Sequence, residues 1–375
     1  FFAFVVMPED TMNYLPRIFV FSLLTLFISI QLAVPTQAQA SFDRVAMIEG
    51  VVTETVLPLH MTFAEEALAL QTVAITFEAD PTEENLLALR QAYLTTALAF
   101  EHISVYRFRR VMIWMSQIER YPSNLSFVEA TLTELTVEEI TPDFASSVGS
   151  AEKGLPVLDY LLFAEDALTL LTTSDVRRAY TTALAINIRE IADILVEAWT
   201  PDEGGYADNF MSADAEPSSV RSAISMLSNE IIASLEVTTA DFLGAPLGYD
   251  AGGTPNPALV KAPYSETSIA RLIAYLEGVQ FALNGLEDAP SLANYLDFIE
   301  AEYEGERLTV VINTHIDTAI NNLNQVEQPL HITVVEDTEE VVTIYNSFVA
   351  ILRLVKTDMA NQLGITVTFS DNDGD

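Results

Sequence analysis

The chain has 375 residues, half of them apolar, so it is long enough for one large domain or two and too apolar for general disorder. Its 54 Asp and Glu residues against 17 Lys and Arg residues give a formal net charge of -37, which excludes nucleic acid as a partner because phosphates would be repelled over the whole surface. The absence of cysteine excludes disulfides, thiol chemistry and cysteine-bound metals.

The first forty residues have the pattern of an export leader. Arg17 supplies a short positive start, residues 18–34 form an uncharged apolar run, and Ala38-Gln39-Ala40 is a small-x-small cleavage site. This order predicts a secretory signal peptide that is cleaved after Ala40, and therefore a periplasmic protein.

A membrane anchor is the alternative interpretation of the same run, although the run is short against the roughly 20 residues that span a bilayer. Pro35 and the Ala-Gln-Ala ending favour cleavage. We expect translation to start at Met12 or Met7 and no membrane span to remain after cleavage.

Helical periodicity dominates the rest of the chain. Over residues 56–73 the apolar side chains of Leu57, Met61, Ala64 and Leu68 recur three or four positions apart, which is the spacing of one helix face. The same spacing predicts further helices at 157–171, 174–199, 220–235, 267–283, 291–302, 308–325 and 339–363.

One predicted helix is unusually long. Asp80 and Pro81 are suited to the cap and first turn of a helix, and residues 85–114 contain no Gly or Pro. A single helix of up to about thirty residues is therefore possible here, which fits a helical bundle.

Two kinds of segment depart from the helical pattern. Residues 243–267 are rich in Gly and Pro and predict a long loop, which in a compact domain is usually functional or disordered. The β-branched stretches 308–312 and 365–369 are interpreted as helix interior and as an extended tail.

Residues 90–99 (RQAYLTTALA) resemble residues 177–185 (RRAYTTALA), apart from one inserted residue. Duplication of an ancestral bundle would produce this likeness, and so would coincidence in a composition rich in Ala, Leu and Thr. Small residues at these positions also permit close helix packing.

Motifs of known catalytic sites are absent from the sequence. The four histidines, His60, His102, His315 and His331, form neither an H-E-x-x-H motif nor an E-x-x-H pair. A catalytic zinc site needs about three converging protein ligands, which these scattered histidines do not predict. A G-x-S-x-G elbow and a phosphate-binding P-loop are also missing.

Several short segments occur in an order typical of one family. They are LRQAY and AFEH between residues 89 and 102, RF at 107–108, IW at 113–114, KGLPVLDYLLF at 153–163, AW at 198–199, GGYA at 204–207, LGAPLG at 243–248, PYSETS at 263–268 and KTD at 356–358. Together they resemble the imelysin-like family, periplasmic or envelope-attached bacterial proteins linked to iron uptake and classed among metallopeptidases. The resemblance covers about residues 45–375.

This resemblance implies an all-α fold of two four-helix-bundle-like halves that are related by an internal repeat, with a site between them. We therefore expect a leader at residues 1–40, an N-terminal bundle at 41–170 and a C-terminal bundle at 171–375. The irregular residues 243–267 would form part of the rim of the site.

The chain departs from the family at its defining G-x-H-x-x-E motif. Gly154, Pro156 and Asp159 stand at the three fixed positions, and Pro156 has no atom that could bind a metal. Pro156 more naturally opens a helix after Gly154, and Asp159 could orient a ligand or cation, or interact with free N–H groups at the helix start.

We hypothesise a non-catalytic protein that binds a small ligand, an iron species or a partner in the cleft between the bundles, with a role in iron uptake. The alternatives are a metallopeptidase and an envelope adaptor that docks through its acidic surface. The sequence requires no cofactor; iron or another divalent cation is an open possibility, with Asp159 the one metal ligand considered. Family-motif positions give the candidate ligand-binding residues Gly154, Pro156, Asp159, Glu101, Arg107, Trp114, Ser265 and Ser268.

Overall fold

Helices make up nearly all of the regular structure. The computed structural model describes residues 41–202, 204–213 and 218–368. The predicted signal peptide lies outside these residues. The described residues from Phe42 onward form one compact unit.

The described part of the chain confirms the all-α fold class. The helices of its first half are α1 (Arg44–Gly50), α2 (Leu57–Ala79), α3 (Glu83–Ile103), α4 (Arg109–Ile118), α5 (Leu125–Glu134), α6 (Pro142–Ser147), α7 (Leu155–Phe163), α8 (Ala167–Thr173) and α9 (Asp175–Trp199). Those that follow are α10 (Tyr206–Met211), α11 (Ala223–Val237), α12 (Ser268–Asn284), α13 (Leu292–Phe298), α14 (Leu308–Gln325), α15 (Leu330–Glu336), α16 (Thr338–Arg353) and α17 (Ala360–Leu363).

Three wider π-helical turns continue the α-helices. Val51–Val56 joins α1 to α2, Thr238–Gly244 extends α11, and Leu354–Met359 joins α16 to α17. Short 3-10 turns lie at Val137–Glu139, Ser150–Glu152, Tyr249–Ala251 and Pro257–Leu259, and β1 (Glu302–Tyr303) pairs antiparallel with β2 (Glu306–Arg307).

The single long helix predicted over residues 85–114 is wrong. The α3 helix ends at Ile103 and α4 begins at Arg109. Ser104 donates its hydroxyl to the carbonyl of Glu101, and the following Val105 and Tyr106 are buried, so the chain turns to place these side chains in the core. The turn carries Arg107 and Phe108 away from the helix axis.

Other helix predictions agree better with the structure. Those at 174–199, 267–283 and 308–325 correspond to α9, α12 and α14 to within about two residues, and residues 308–312 are helical as interpreted. The single helix predicted at 157–171 is wrong, because two helices, α7 and α8, cover this segment with a non-helical turn between them.

The helices share one continuous hydrophobic core. The α2 helix packs against both α3 and α9, α3 packs against α12, and α12 leads through α14 to α16. The predicted division at residue 170 stays a prediction, but α9, which follows that boundary in sequence, packs with the N-terminal helices.

The internal repeat is not confirmed. Its two copies lie on α3 and α9, which both pack on α2. Thr96 donates to the carbonyl of Glu66 and Thr182 to that of Ala74, both on α2. A shared way of packing on one helix therefore accounts for the likeness between the copies.

No helix in the described ranges combines the length and the apolar character that a membrane span requires.

Candidate functional site

Four charged side chains meet in the interior as a buried ionic cluster. Glu101 lies in the last turn of α3, Glu119 follows α4, Lys261 lies in the irregular segment before α12, and Arg271 lies in the first turn of α12. None of the four is more than 5% exposed. Four separate parts of the sequence thus contribute one charge each.

The two cations of the cluster each bridge both carboxylates. The Nζ atom of Lys261 lies 2.6 Å from Oε1 of Glu101 and 2.7 Å from Oε2 of Glu119. Arg271 donates through Nε to Oε1 of Glu101 at 2.7 Å and through Nη2 to Glu119. With two positive and two negative charges, the cluster is formally neutral.

Mutual attraction keeps these groups ionised. Burial alone would raise the pKa of Glu119, but Arg271 and Lys261 outweigh it and lower that pKa to about 2. Burial would lower the pKa of Arg271, yet Glu119 and Glu101 hold it well above its ordinary value. Because an unpaired buried charge is very costly, the cluster is stable only when complete.

A cavity of about 1000 Å³ adjoins the ionic cluster, and all four cluster side chains line it. The remaining wall comes from the turn after α3, from α4, α10, α11 and α12, and from the π-helical turn Thr238–Gly244. Such a volume suits a small organic molecule.

Four aromatic side chains contribute to the apolar part of the wall. Phe108, Tyr206, Phe242 and Tyr275 contribute rings to it, and the Nζ atom of Lys261 lies 4.6 Å from the ring centre of Phe242. Ser234 and Thr238 add hydroxyl groups. This mixture of rings and a few polar groups is typical of ligand pockets.

Glu230 on α11 is the third acidic residue of the wall among the described residues. Burial raises its pKa to about 7, and the nearby Arg107 opposes that rise only partly. Burial, with a further contribution from Glu230, raises the pKa of Tyr206, whose phenol stays protonated at neutral pH. A carboxyl group that titrates near neutrality inside a cavity is a common feature of binding sites.

The family-motif segment lies at the start of α7. Gly154 has φ 77° and ψ -165°, a conformation open almost exclusively to glycine, and a Cβ atom there would lie 2.1 Å from the carbonyl oxygen of Ile118. Pro156 occupies the first turn of α7 and is buried. Both residues serve the close packing of the helix start.

The carboxylate of Asp159 holds the segment before α12 in place. Its Oδ2 accepts the backbone N–H of Tyr264 at 3.1 Å, and its Oδ1 accepts that of Ser265 at 3.1 Å and the hydroxyl of Tyr93 at 3.3 Å. Burial raises the pKa of Asp159, while Ser265 and Tyr264 oppose that rise.

Pro156 and Asp159, which the resemblance of the sequence places at the family's metal-binding positions, do not fit a metal ion. Pro156 offers no donor atom, and both oxygens of Asp159 already accept hydrogen bonds from Tyr264, Ser265 and Tyr93. Within the ranges described above, no group of three or more His, Asp or Glu side chains is arranged to hold a metal ion.

The structure separates the candidate site residues into three places. Glu101 and Arg107 line the cavity. Ser268 is outside the described wall but donates its hydroxyl to the carbonyl of Lys261, which lines it. The carboxylate of Asp159 accepts a hydrogen bond from the backbone N–H of Ser265. Trp114 is 37% exposed and lies outside the described cavity wall.

Sequence reasoning missed most of the charged residues of the cavity. These are Arg110, Glu119, Arg221, Glu230, Lys261 and Arg271. One available signal was the rarity of basic residues in the chain, which makes a lysine in the Gly- and Pro-rich segment noteworthy.

Comparisons with known proteins give a consistent result. The family model described as Imelysin (Peptidase_M75) matches residues 56–355. No curated protein sequence matches the chain significantly.

Solved structures share the fold at low sequence identity. A crystal structure of an imelysin-like protein from Psychrobacter arcticum 273-4 is similar with a TM-score of 0.71 and 18% identity, covering 88% of this chain and 99% of that one. A structure described as an iron-regulated protein A precursor from Parabacteroides distasonis ATCC 8503 is similar with a TM-score of 0.64 and 16% identity, covering 86% and 97%.

Proposed function

Since the chain belongs to the imelysin family, we propose that it is an exported, non-catalytic member that binds a small ligand in the cavity beside the ionic cluster and serves iron uptake. The observation that carries the proposal is the cavity itself. It is large enough for a small molecule, has aromatic walls and rests on charges that are fixed before any ligand arrives. A rigid, preorganised wall lowers the entropy cost of binding.

The non-catalytic part of the proposal rests on the engaged motif residues. Pro156 stands where the resemblance leads us to expect the family's histidine, and Asp159 uses both oxygens to hold Tyr264 and Ser265. A metal-activated water would need open ligand atoms at these positions, because catalytic metal sites keep about three protein ligands and one free position.

The link to iron comes from the family and from one structural relative. The Parabacteroides distasonis protein carries iron regulation in its name, and the resemblance of the sequence motifs implies the same setting. Export to the periplasm is supported by the leader pattern up to Ala40.

A cavity-blocking variant tests the proposal in the host bacterium. Ala233 on α11 lines the cavity, so Ala233→Trp should fill it without removing a charge. We expect a deletion strain to grow poorly under iron limitation, wild-type protein to restore growth, and Ala233→Trp to fail to restore it.

Leu87→Trp is the matched control, because Leu87 is 57% exposed on α3 and lies outside the described wall of the cavity. It should restore growth as wild type does, with equal protein levels and circular dichroism spectra for both variants. Normal growth of the deletion strain under iron limitation would refute the uptake role.

A metallopeptidase is the second candidate, and the name of the matching family model favours it. Incubating the purified protein with an unfolded substrate such as casein, with zinc or with a chelator, separates the two. We expect no chelator-sensitive cleavage; cleavage that zinc restores after chelation would replace the binding proposal. The envelope adaptor hypothesis stays a prediction.

A further inference from the structure

The cavity has a charge opposite to that of the protein around it. Five of the chain's 17 Lys and Arg residues line it, against three of its 54 Asp and Glu residues, counted over the described wall. In a chain with a net charge of -37, random placement would give an acidic cavity. The wall instead carries a formal excess of positive charge even when all three carboxyl groups are ionised.

The ionic cluster does not neutralise this excess of positive charge. Lys261 and Arg271 are balanced by Glu101 and Glu119, which leaves three further arginines of the wall. Arg107 comes from the turn after α3, Arg110 from α4 and Arg221 from the segment before α11. Among the described residues, none of these three guanidinium groups forms an ion pair.

One unpartnered donor in the cavity wall indicates where an anion would bind. The Nη1 atom of Arg271 is buried and has no hydrogen-bond partner among the described residues, although Arg271 is 1% exposed and lines the cavity. A buried guanidinium donor without an acceptor is costly, and a ligand oxygen would relieve that cost. Guanidinium groups also match carboxylate and phosphate oxygens in geometry.

We propose that the cavity binds a small organic anion. Its carboxylate or phosphate group is held by Arg107, Arg110 and Arg221 together with the free Nη1 donor of Arg271, and its apolar body packs on the aromatic side chains of the wall. The proposal rests on the proposed function and names the class of its ligand. A bare metal cation would be repelled by the same arginines. The apolar body is needed because Phe108, Tyr206 and Phe242 would gain nothing from an inorganic ion.

Isothermal titration calorimetry of the full chain at low salt tests the ligand class. The probes are benzoate, phenyl phosphate and the neutral benzamide, which has nearly the shape of benzoate. We expect benzoate or phenyl phosphate to bind at least tenfold more tightly than benzamide, because charge-assisted hydrogen bonds are available only to the anions. The tighter of the two anions assigns the head group as carboxylate or phosphate.

Two substitutions locate the binding site. Arg107→Gln and Arg221→Gln should each weaken binding of the anion at least about fivefold and leave benzamide unchanged. Arg307→Gln is the control, because its side chain is 63% exposed on β2 and lies outside the described wall. Arg221 is exposed, so its substitution should not impair folding.

The proposal is overturned if neither anion binds at about 10 mM, if benzamide binds as tightly as the tighter of the two anions, or if Arg307→Gln weakens binding as much as Arg107→Gln. The outcome of the growth experiment does not depend on the outcome of these titrations, so the two proposals can be refuted separately. Anion binding with normal growth of the deletion strain would refute the role in iron uptake and leave the ligand class standing.

Discussion

Lys261 and Arg271 carry their charges in the interior of the protein, where an unpaired charge would strongly destabilise the folded state. Each is buried, and each contacts both Glu101 and Glu119, so every charge in the cluster has two opposite neighbours. The arrangement offsets desolvation through mutual attraction, and it also fixes the floor of the cavity in one geometry.

Removing one carboxylate from the cluster should be strongly destabilising. Glu119→Gln leaves Lys261 and Arg271 with a single counter-charge, and we expect a loss of roughly 3–5 kcal/mol in the free energy of unfolding. Denaturant titration at pH 7 measures it. Asp193→Asn is the control, because it breaks an ion pair with Arg189 whose acidic side chain is 56% exposed and should cost about 1 kcal/mol or less.

Glu119 should also make the stability of the protein depend on pH in the acid range. The pKa of Glu119 is about 2 in the folded protein against 4.5 for an ordinary Glu, so its contribution is complete above about pH 4.5. That contribution is lost as the pH falls from 4.5 towards 2. Stability curves of wild type and Glu119→Gln should therefore converge over this range, and parallel curves would contradict the assignment.

Glu230 should have the opposite effect. Its pKa of about 7 lies above the ordinary 4.5, so the folded state retains a proton that the unfolded state releases. The free energy of unfolding should then fall as the pH rises from 4.5 to 7, and Glu230→Gln should remove this component. Denaturant titrations at several pH values check the slope.

Ionisation of Glu230 should also weaken anion binding. Arg107 and Tyr206 are the charged and titratable groups that interact with Glu230, and Arg110 acts on Tyr206. A carboxylate formed beside Arg107 competes with the ligand for that arginine. We expect affinity for benzoate to fall between about pH 6 and pH 8 in wild type and to stay constant in Glu230→Gln.

At the scale of single elements, the cavity depends on where helices stop. The break between α3 and α4 presents Arg107 and Phe108 to the cavity, which a continuous helix over residues 85–114 would not do. The π-helical turn after α11 contributes Phe242 to the wall of the same cavity. π-Helical turns are frequent at functional sites because they alter the direction of side chains within a helix.

The start of α7 depends on one glycine. Gly154→Ala would place a Cβ atom 2.1 Å from the carbonyl oxygen of Ile118, so the backbone must shift. We expect a loss of several kcal/mol, on the order of 3 or more, from the positive φ and the steric clash together. Thermal and denaturant unfolding measure it.

Gly305→Ala provides the matched control for this substitution. Gly305 has a φ of 86°, also positive, but a Cβ atom there meets nothing within 4 Å. Its substitution should cost only about 1–2 kcal/mol, from backbone conformation alone. Equal losses at both positions would show that the contact with Ile118 contributes nothing.

At the scale of the whole molecule, the net charge of -37 opposes the folded state through self-repulsion. Raising NaCl from about 0.05 M to about 1 M shortens the Debye length from more than 10 Å to about 3 Å. We expect the melting temperature to rise by at least about 3 °C, measured by calorimetry, and an equal osmolality of a neutral solute to serve as the control. A fall in melting temperature would indicate that surface ion pairs dominate.

The wall of the cavity carries a net positive charge, whereas the protein as a whole is strongly negative. Repulsion from the acidic exterior would slow the approach of an anion, whereas Arg110 and Arg221, which are exposed at the cavity, would attract it locally. High salt should therefore speed the approach of an anionic ligand while weakening its equilibrium binding.

The sequence by itself determined the helical class, most of the long helices and the family. Periodic apolar side chains specify helices such as α9, α12 and α14 because each must bury one face. Turn signals in the sequence are weaker, so the break at Ser104 and the division between α7 and α8 were missed. At the first of these points, burial of Val105 and Tyr106 overrides a local pattern that favours a longer helix.

Only the tertiary structure decided which charges meet. Glu101, Glu119, Lys261 and Arg271 are separated by up to 170 residues along the chain, and nothing in the local sequence of any one of them specifies its partners. Motif positions in the sequence predicted Glu101 and Arg107 as site residues. That the carboxylate of Asp159 accepts hydrogen bonds from Tyr264 and Ser265 follows only from how the helices pack. Local spacing determines helices because it acts within a few residues, whereas a cavity is determined by how distant helices pack.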